Sequence, residues 1–147
     1  MSTAFDDLAD AFASVLGQSP AVCSVIEQDD VQPLAAADTT AITIVLGDSQ
    51  PQQLGGIQGN PVDWITEVSV HCLAGGLATN ARPAAHTLAA AAYTRLATDP
   101  SLGLTDAAGV HIGEPVMRRQ FERAERRFAL VSLVYSVQHR TTSLNLE

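Results

Sequence analysis

The sequence contains no lysine, and all eight of its basic side chains are arginines. None of these arginines precedes Arg82, whereas ten of the sixteen carboxylates lie in residues 1–81. The net charge of −8 weighs against non-specific binding to duplex DNA, because such binding depends on Lys and Arg contacts to phosphate. A codon bias explains the missing lysines most simply. The division of charge along the chain also suits a subunit that associates with its own copies, since an acidic surface can steer a basic one.

Cysteine is also scarce, and Cys23 and Cys72 have no close spacing. They do not indicate a disulfide-rich secreted scaffold, although the alternative of a single disulfide between them stays open. The N-terminal residues contain neither a basic stretch nor an apolar segment typical of a signal peptide. No uncharged apolar run approaches the roughly 18 residues that indicate a membrane helix. We therefore expect a soluble protein, made in a reducing cytoplasm, without a signal peptide or a membrane span.

At 147 residues the chain is expected to form one domain, 1–147. A domain of this size buries roughly 68–70% of its unfolded surface. Apolar periodicity and turn signals predict the elements of this domain. In order, they are a helix over 3–16, a strand over 21–27, an acidic loop over 29–38, a strand over 41–47, a long loop over 48–61, a strand over 62–72, a helix over 84–96, a short strand over 110–112, an irregular connection from Glu114 and a strand over 127–139.

The pattern within these elements predicts the fold class. The strand over 62–72 places Trp64, Val68 and Cys72 on one face, and the strand over 127–139 alternates in the same way. The second helix is rich in alanine, which lets a helix lie close against a sheet. The order of elements is typical of an α+β domain. We predict an antiparallel or mixed β-sheet of four to five strands with two helices packed on one face.

The residues that usually carry catalysis or bind metals form no recognisable constellation. The four histidines show no metal-ligand spacing, and the adjacent His71 and Cys72 point to opposite faces of a strand. Cys72 shares the apolar face with Trp64, which favours a buried structural thiol over a catalytic one. Gly55-Gly56 lacks the Lys and the helix of a phosphate loop. We expect no enzyme, no cofactor and no metal site.

Five arginines crowd into residues 118–127 and form the candidate interaction site. Two interpretations of this segment stay open. As a helix, it would pair Glu122 with Arg126 and face solvent. As an extended, projecting arm over 113–127, it would offer arginines to a partner's carboxylates or to nucleic acid, because the arginine fork suits bidentate interface pairs. The candidate interface residues are Arg118, Arg119, Phe121, Arg123, Arg126 and Arg127.

The second half of the chain carries a resemblance to a known family. The strand Val62-Asp63-Trp64-Ile65-Thr66-Glu67-Val68 leads to an alanine-rich helix that ends Tyr93-Thr94-Arg95-Leu96. A Leu102-Gly103-Leu104 link, a short strand, a charged arm and a long strand ending near 135–140 follow. This order resembles the tail terminator proteins, also called tail completion or neck proteins, of long-tailed bacteriophages and phage-derived particles. The resemblance covers roughly residues 20–141 and rests on element order, lengths and a loose pattern.

The resemblance implies a structural protein rather than an enzyme. Tail terminators form a hexameric ring that caps the tail tube, ends tail polymerisation and joins the head connector. For this chain the resemblance implies a homo-oligomeric ring in the virion, with a tail tube protein and a head connector or head-completion protein as partners. DNA would only pass through the lumen, and no membrane is involved.

Two further expectations and two alternatives accompany this resemblance. The loop over 48–61 would face the tube or the lumen, and the helix over 1–17, better formed than the family suggests, would be an additional docking element. A head-completion or tail-tube protein of the same assembly is the first alternative. A small cytoplasmic ligand-binding or enzymatic domain is the second, and a deep pocket holding titratable groups with shifted pKa values would distinguish it.

Overall fold

The computed structural model describes residues 3–23, 25–28, 40–52, 62–76, 81–104, 109–123 and 127–141. Within these ranges, only the backbone is described at 76, 81, 121–123, 127 and 128. The elements are α1 (Ala4–Gly17), β1 (Ile26–Gln28), β2 (Thr40–Pro51), β3 (Val62–Gly76), α2 (Ala81–Ala97), β4 (Val116–Arg123) and β5 (Arg127–Thr141).

The strands form one mixed sheet in the order β1-β2-β3-β5-β4. β1 pairs with β2 in parallel, and the other three pairings are antiparallel. Side chains of both helices and of one sheet face form a single buried core. The predicted α+β class, with a mixed sheet of five strands and two helices on one face, is confirmed.

The helix α1 begins where the sequence provides a capping box. The side chain of Thr3 accepts a hydrogen bond from the Asp6 backbone N–H at 3.2 Å, and the Asp6 carboxylate accepts one from the Thr3 N–H at 3.1 Å. These bonds satisfy two N–H groups that a helix start otherwise leaves unpaired. Leu8, Phe12 and Leu16, which repeat at helical spacing, are fully buried against the sheet. The helix predicted over 3–16 is therefore confirmed to within one residue.

The second helix packs as its alanines predict. Leu88, Ala92 and Leu96, which lie four residues apart, are all buried, and Pro83 lies in the first turn, where its missing N–H leaves no bond unmade. Ala92 is completely buried, so the α2 backbone lies close to the sheet at this position. Substituting a larger side chain there would require the helix to move.

The two central strands, β3 and β5, confirm the predicted alternation and extend it. They pair over their full lengths, from Val62 opposite Thr141 to Gly76 opposite Arg127. The core-facing residues of β5 are Ala129, Val131, Leu133, Tyr135 and Val137, and all of them are buried. The strands are longer than predicted because cross-strand pairing continues through Leu73 to Gly76 in β3 and through Arg140 and Thr141 in β5.

Three predicted elements outside the arginine-rich segment differ from the structure. The strand predicted over 21–27 is regular only in β1, so its start was placed too early. β2 runs through Pro51, and the loop predicted over 48–61 is therefore wrong for 48–51, because pairing with β3 resumes after a register shift between Leu46 and Ser49. Residues 53–61 lie outside the described residues, as does the predicted acidic loop over 29–38. The strand predicted over 110–112 is only one bridge, from His111 to Gln138.

The arginine-rich segment is also a strand where the structure describes it. β4 pairs with β5 from Val116 opposite Val134 to Arg123 opposite Arg127. The irregular connection predicted from Glu114 is therefore wrong over 116–123, and so is the helical alternative. Pairing with β5 decides this, since the four-residue charge spacing that suited a helix supplies only a few tenths of a kcal/mol, about 0.2–0.5 per pair.

Candidate interaction surface

β4 is an edge strand of unusual composition. Among the described strands it is bonded to β5 alone, so its other side is an open edge of the described sheet. Val116 is 61% exposed and Met117 39%, and the following Arg118, Arg119 and Gln120 are exposed as well. Natural edge strands are usually protected from pairing by charged residues. This edge combines such charges with two exposed apolar side chains, a mixture that suits contact with a partner.

The register of β4 decides which face each arginine occupies. Arg119 lies opposite Val131, a core residue, and so belongs to the helix-covered face of the sheet. Its Nη2 donates to the Met117 sulfur, two residues away, at 3.0 Å. Arg118 lies opposite Ser132 and belongs to the other face. The two exposed arginines therefore flank the sheet edge from both sides.

Three of the remaining predicted interface residues, Phe121, Arg123 and Arg127, lie farther along the β4–β5 pair. The backbone places Phe121 opposite Ala129 and Arg123 opposite Arg127. Arg126 lies outside the described residues. The edge strand β4 thus carries four of the six predicted residues, and Arg127 lies on the adjacent strand β5.

The opposite edge of the sheet is acidic. β1 forms that edge among the described strands, and α1 packs beside it. The Gln28 side chain donates to Asp10 Oδ1 at 2.9 Å, which holds the helix carboxylate beside the strand. Both Asp10 and Glu27 are exposed. Two carboxylates of the acidic half and two arginines of the basic half therefore lie at opposite edges of one sheet.

Two arginines of the basic half act within the chain. The Arg140 guanidinium donates to the Asp63 carboxylate at 2.7 and 3.3 Å across the β3–β5 pair, and this contact holds the pKa of Asp63 below its usual range. Arg95 of α2 donates to backbone carbonyl oxygens beyond the end of α1. Sequence reasoning missed both contacts, because their partners lie 77 residues away or are backbone atoms.

A pocket of about 260 Å³ lies between the end of α2 and the segment that precedes β4. Tyr93 donates a hydrogen bond to Glu114 at 2.7 Å, and that bond raises the pKa of Tyr93. Tyr135 also lines the pocket, and its hydroxyl has no hydrogen-bond partner in the described part of the chain. Burial raises the pKa of Tyr135 as well. Both phenols therefore stay protonated at neutral pH and can act only as hydrogen-bonding groups. No sequence signal pointed to this pocket.

The other reactive side chains are part of the packing. Cys72 is fully buried and free, and burial raises the pKa of its thiol to about 12, so it is not a thiolate at neutral pH. His71 contacts Ser132 at 2.6 Å on the opposite face, as the strand alternation predicted. His139 contacts Thr66 at 2.6 Å in the interior. Within the described ranges, no three His, Cys, Asp or Glu side chains are placed to hold a metal ion.

None of the described helices is long and apolar enough to cross a membrane.

No family model matches the chain, and no curated protein matches it. Among solved structures, it is similar to a chain from the virion of a native gene transfer agent particle. The TM-score is 0.42 and the sequence identity 16%, over 95% of this chain and 92% of that chain. A likeness at this level does not establish a shared function.

Proposed function

We propose that this chain is a structural virion protein of a long-tailed phage or phage-derived particle, and that it acts as a tail terminator. In this role it forms a ring, hexameric by the family resemblance, that caps the tail tube, ends tail polymerisation and provides the surface to which the head connector attaches. It requires no catalytic group and no cofactor, and DNA only passes through its lumen.

The single observation that supports this proposal best is the exposed edge strand β4. Its apolar and basic side chains, Val116, Met117, Arg118 and Arg119, lie on an open edge of the described sheet. Such an edge is a liability for a protein that works alone, because it invites pairing with other chains. It is an advantage for a subunit of an assembly. We assign Phe121, Arg123, Arg126 and Arg127 to the same interface, since they follow Arg118 and Arg119 closely in the sequence.

Electron microscopy of particles that lack the chain tests this function. We expect tails of uncontrolled length and heads without attached tails. Complementation with the wild-type chain should restore both features. Tails of normal length that are normally attached in the deletion strain would contradict the proposal. Filaments formed by the purified chain alone would instead favour a tube subunit of the same assembly.

Ligand binding is the second candidate function, and the pocket between Tyr93, Glu114 and Tyr135 is the observation that favours it. The pocket combines a carboxylate with phenolic oxygens, so it suits a small ligand that donates hydrogen bonds. Native mass spectrometry of the chain purified from its host would detect such a ligand. Loss of the bound mass in Glu114→Gln, with the deletion strain producing normal tails, would favour this function over the first.

A further inference from the structure

We infer that the β4 edge of one copy docks on the opposite, acidic edge of a second copy, formed by β1 and the adjacent side of α1. This inference rests on the proposed ring, and it names the surface that receives the arginines. The occupant of the β4 edge is thus a second copy of this chain.

The sheet topology makes this association head-to-tail. In the order β1-β2-β3-β5-β4, the two edges lie on opposite sides of the molecule. A contact between unlike edges leaves one free edge of each kind at the two ends of a growing assembly. Repetition of such a heterologous contact closes into a ring when the rotation between copies allows it. A contact between two β4 edges would instead stop at a dimer, and it would bring arginines against arginines.

Charge complementarity selects the partner edge. Arg118 and Arg119 are exposed, and neither forms an ion pair with a carboxylate in the described ranges. Asp10 and Glu27 are exposed on the opposite edge. Asp10 receives one hydrogen bond, through Oδ1 from Gln28, so its second carboxylate oxygen can accept another. Each arginine presents a planar fork of donors that matches a carboxylate.

The apolar residues of β4 add a contact that charge alone does not explain. Val116 and Met117 are 61% and 39% exposed at the start of the strand. In protein interfaces such side chains are anchors surrounded by a polar rim, and here arginines follow them directly. Ion pairs at the rim would steer the two edges together and fix their register, while the apolar pair is removed from water.

Charge reversal tests the pairing in cells that produce the particles. One variant carries Arg118→Glu and Arg119→Glu, the second carries Asp10→Arg and Glu27→Arg, and the third carries all four changes. We expect each of the first two to reduce the number of correctly terminated tails at least tenfold. The third should recover most of the loss, because the opposite charges meet again with exchanged signs. Co-production of the first two should also recover it, since their copies can alternate.

Chemical cross-linking provides a readout that does not depend on folding of the reversed variants. A chain with Glu27→Cys and Arg118→Cys, treated in purified particles with a short bis-maleimide, should give a ladder of products up to the ring. Each single substitution should give no cross-linked products. The wild-type chain, in which Cys23 and Cys72 are buried, is the control for cross-linking through the native cysteines.

Three outcomes would overturn the inference. One is a dimer from Arg118→Cys alone, because like edges would then meet. Another is a four-fold variant no better than the two parents. The third is normal tails in both parents. If the deletion strain still loses tail termination, these results leave the proposed function standing and reject only the pairing of edges. Absence of the chain from purified particles would reject both.

Discussion

The guanidinium of Arg95, near the end of α2, lies 2.8 Å from the carbonyl oxygen of Gln18, just beyond the end of α1. It also donates to the carbonyl oxygens of Val15 at 3.3 Å and Pro20 at 2.5 Å. The last carbonyl groups of a helix have no partner within the helix, and a cation at this end also offsets the helix dipole. One arginine therefore connects the two helices and caps the C-terminal end of the first.

Replacing Arg95 should destabilise the fold. Arg95→Met keeps the aliphatic stem and removes all three hydrogen bonds, so we expect a loss of about 1–2 kcal/mol in the free energy of unfolding. Arg118→Met is the matched control, because Arg118 is exposed and makes no such contacts among the described residues. It should change the free energy by less than about 0.5 kcal/mol. Urea denaturation of both variants measures the difference, and equal values would show that the carbonyl contacts contribute nothing.

The stability of the protein should fall as the pH falls below about 6.5. Burial lowers the pKa of His139 and of His71 below the usual 6.5, so the folded protein keeps both rings neutral where the unfolded chain binds protons. As the pH falls from 6.5 to the pKa values of the folded state, the free energy of unfolding therefore decreases. The decrease is at most about 1.4 kcal/mol per pH unit for each histidine. Urea denaturation between pH 7 and pH 5 measures this slope.

The share of His139 can be separated from that of His71. His139→Phe keeps an aromatic ring beside Phe5, whose centroid lies 5.0 Å away, and leaves Thr66 its contact with Ser49. We expect a smaller dependence on pH in this variant, with the contribution of His71 remaining. An unchanged slope in His139→Phe would show that His139 is not responsible.

The close approach of α2 to the sheet should make one alanine intolerant of enlargement. Ala92 is fully buried, whereas its neighbour Ala91 is exposed. Ala92→Leu should cost about 1–3 kcal/mol, because the added carbons have to displace the helix or its neighbours. Ala91→Leu makes the same chemical change on the outer side and should stay within about 0.5 kcal/mol of the wild type. Thermal or urea denaturation of the two variants separates the cost of packing from the change in helix propensity, because the change in propensity is the same for both substitutions.

Reversal of Arg123 and Arg126 should affect assembly rather than folding. We expect Arg123→Glu with Arg126→Glu to weaken ring formation or docking to the tail. The free energy of unfolding should change by less than about 0.5 kcal/mol. Arg82→Glu, at an exposed position in the first turn of α2, is the control for a reversed charge elsewhere. Normal assembly of the double variant would make the clustering of arginines an accident of composition.

Local sequence patterns predicted the helices and the central strands well, and the edges poorly. Leu8, Phe12 and Leu16 repeat at helical spacing, and Thr3 and Asp6 form their capping box within four residues, so α1 could be read directly. The same holds for the alternation of β5. Residues 116–123 form a strand because they are bonded to β5. The spacing of charges within that segment fitted a helix equally well. The pairing of Asp63 with Arg140 needed the β3–β5 register, which no local signal contains.

The sequence by itself determined the class of the fold and the separation of charge, because apolar periodicity and the order of charged residues are properties of the chain. Only the tertiary structure decided where those charges lie in space. It assigned Arg95 and Arg140 to contacts within the molecule and left Arg118 and Arg119 on an edge strand. It also placed Asp10 and Glu27 at the opposite edge, through the order of strands and the packing of α1. The physical reason is that cross-strand hydrogen bonds and buried contacts join residues far apart in sequence, and these contacts decide which charges are paired and which face outward.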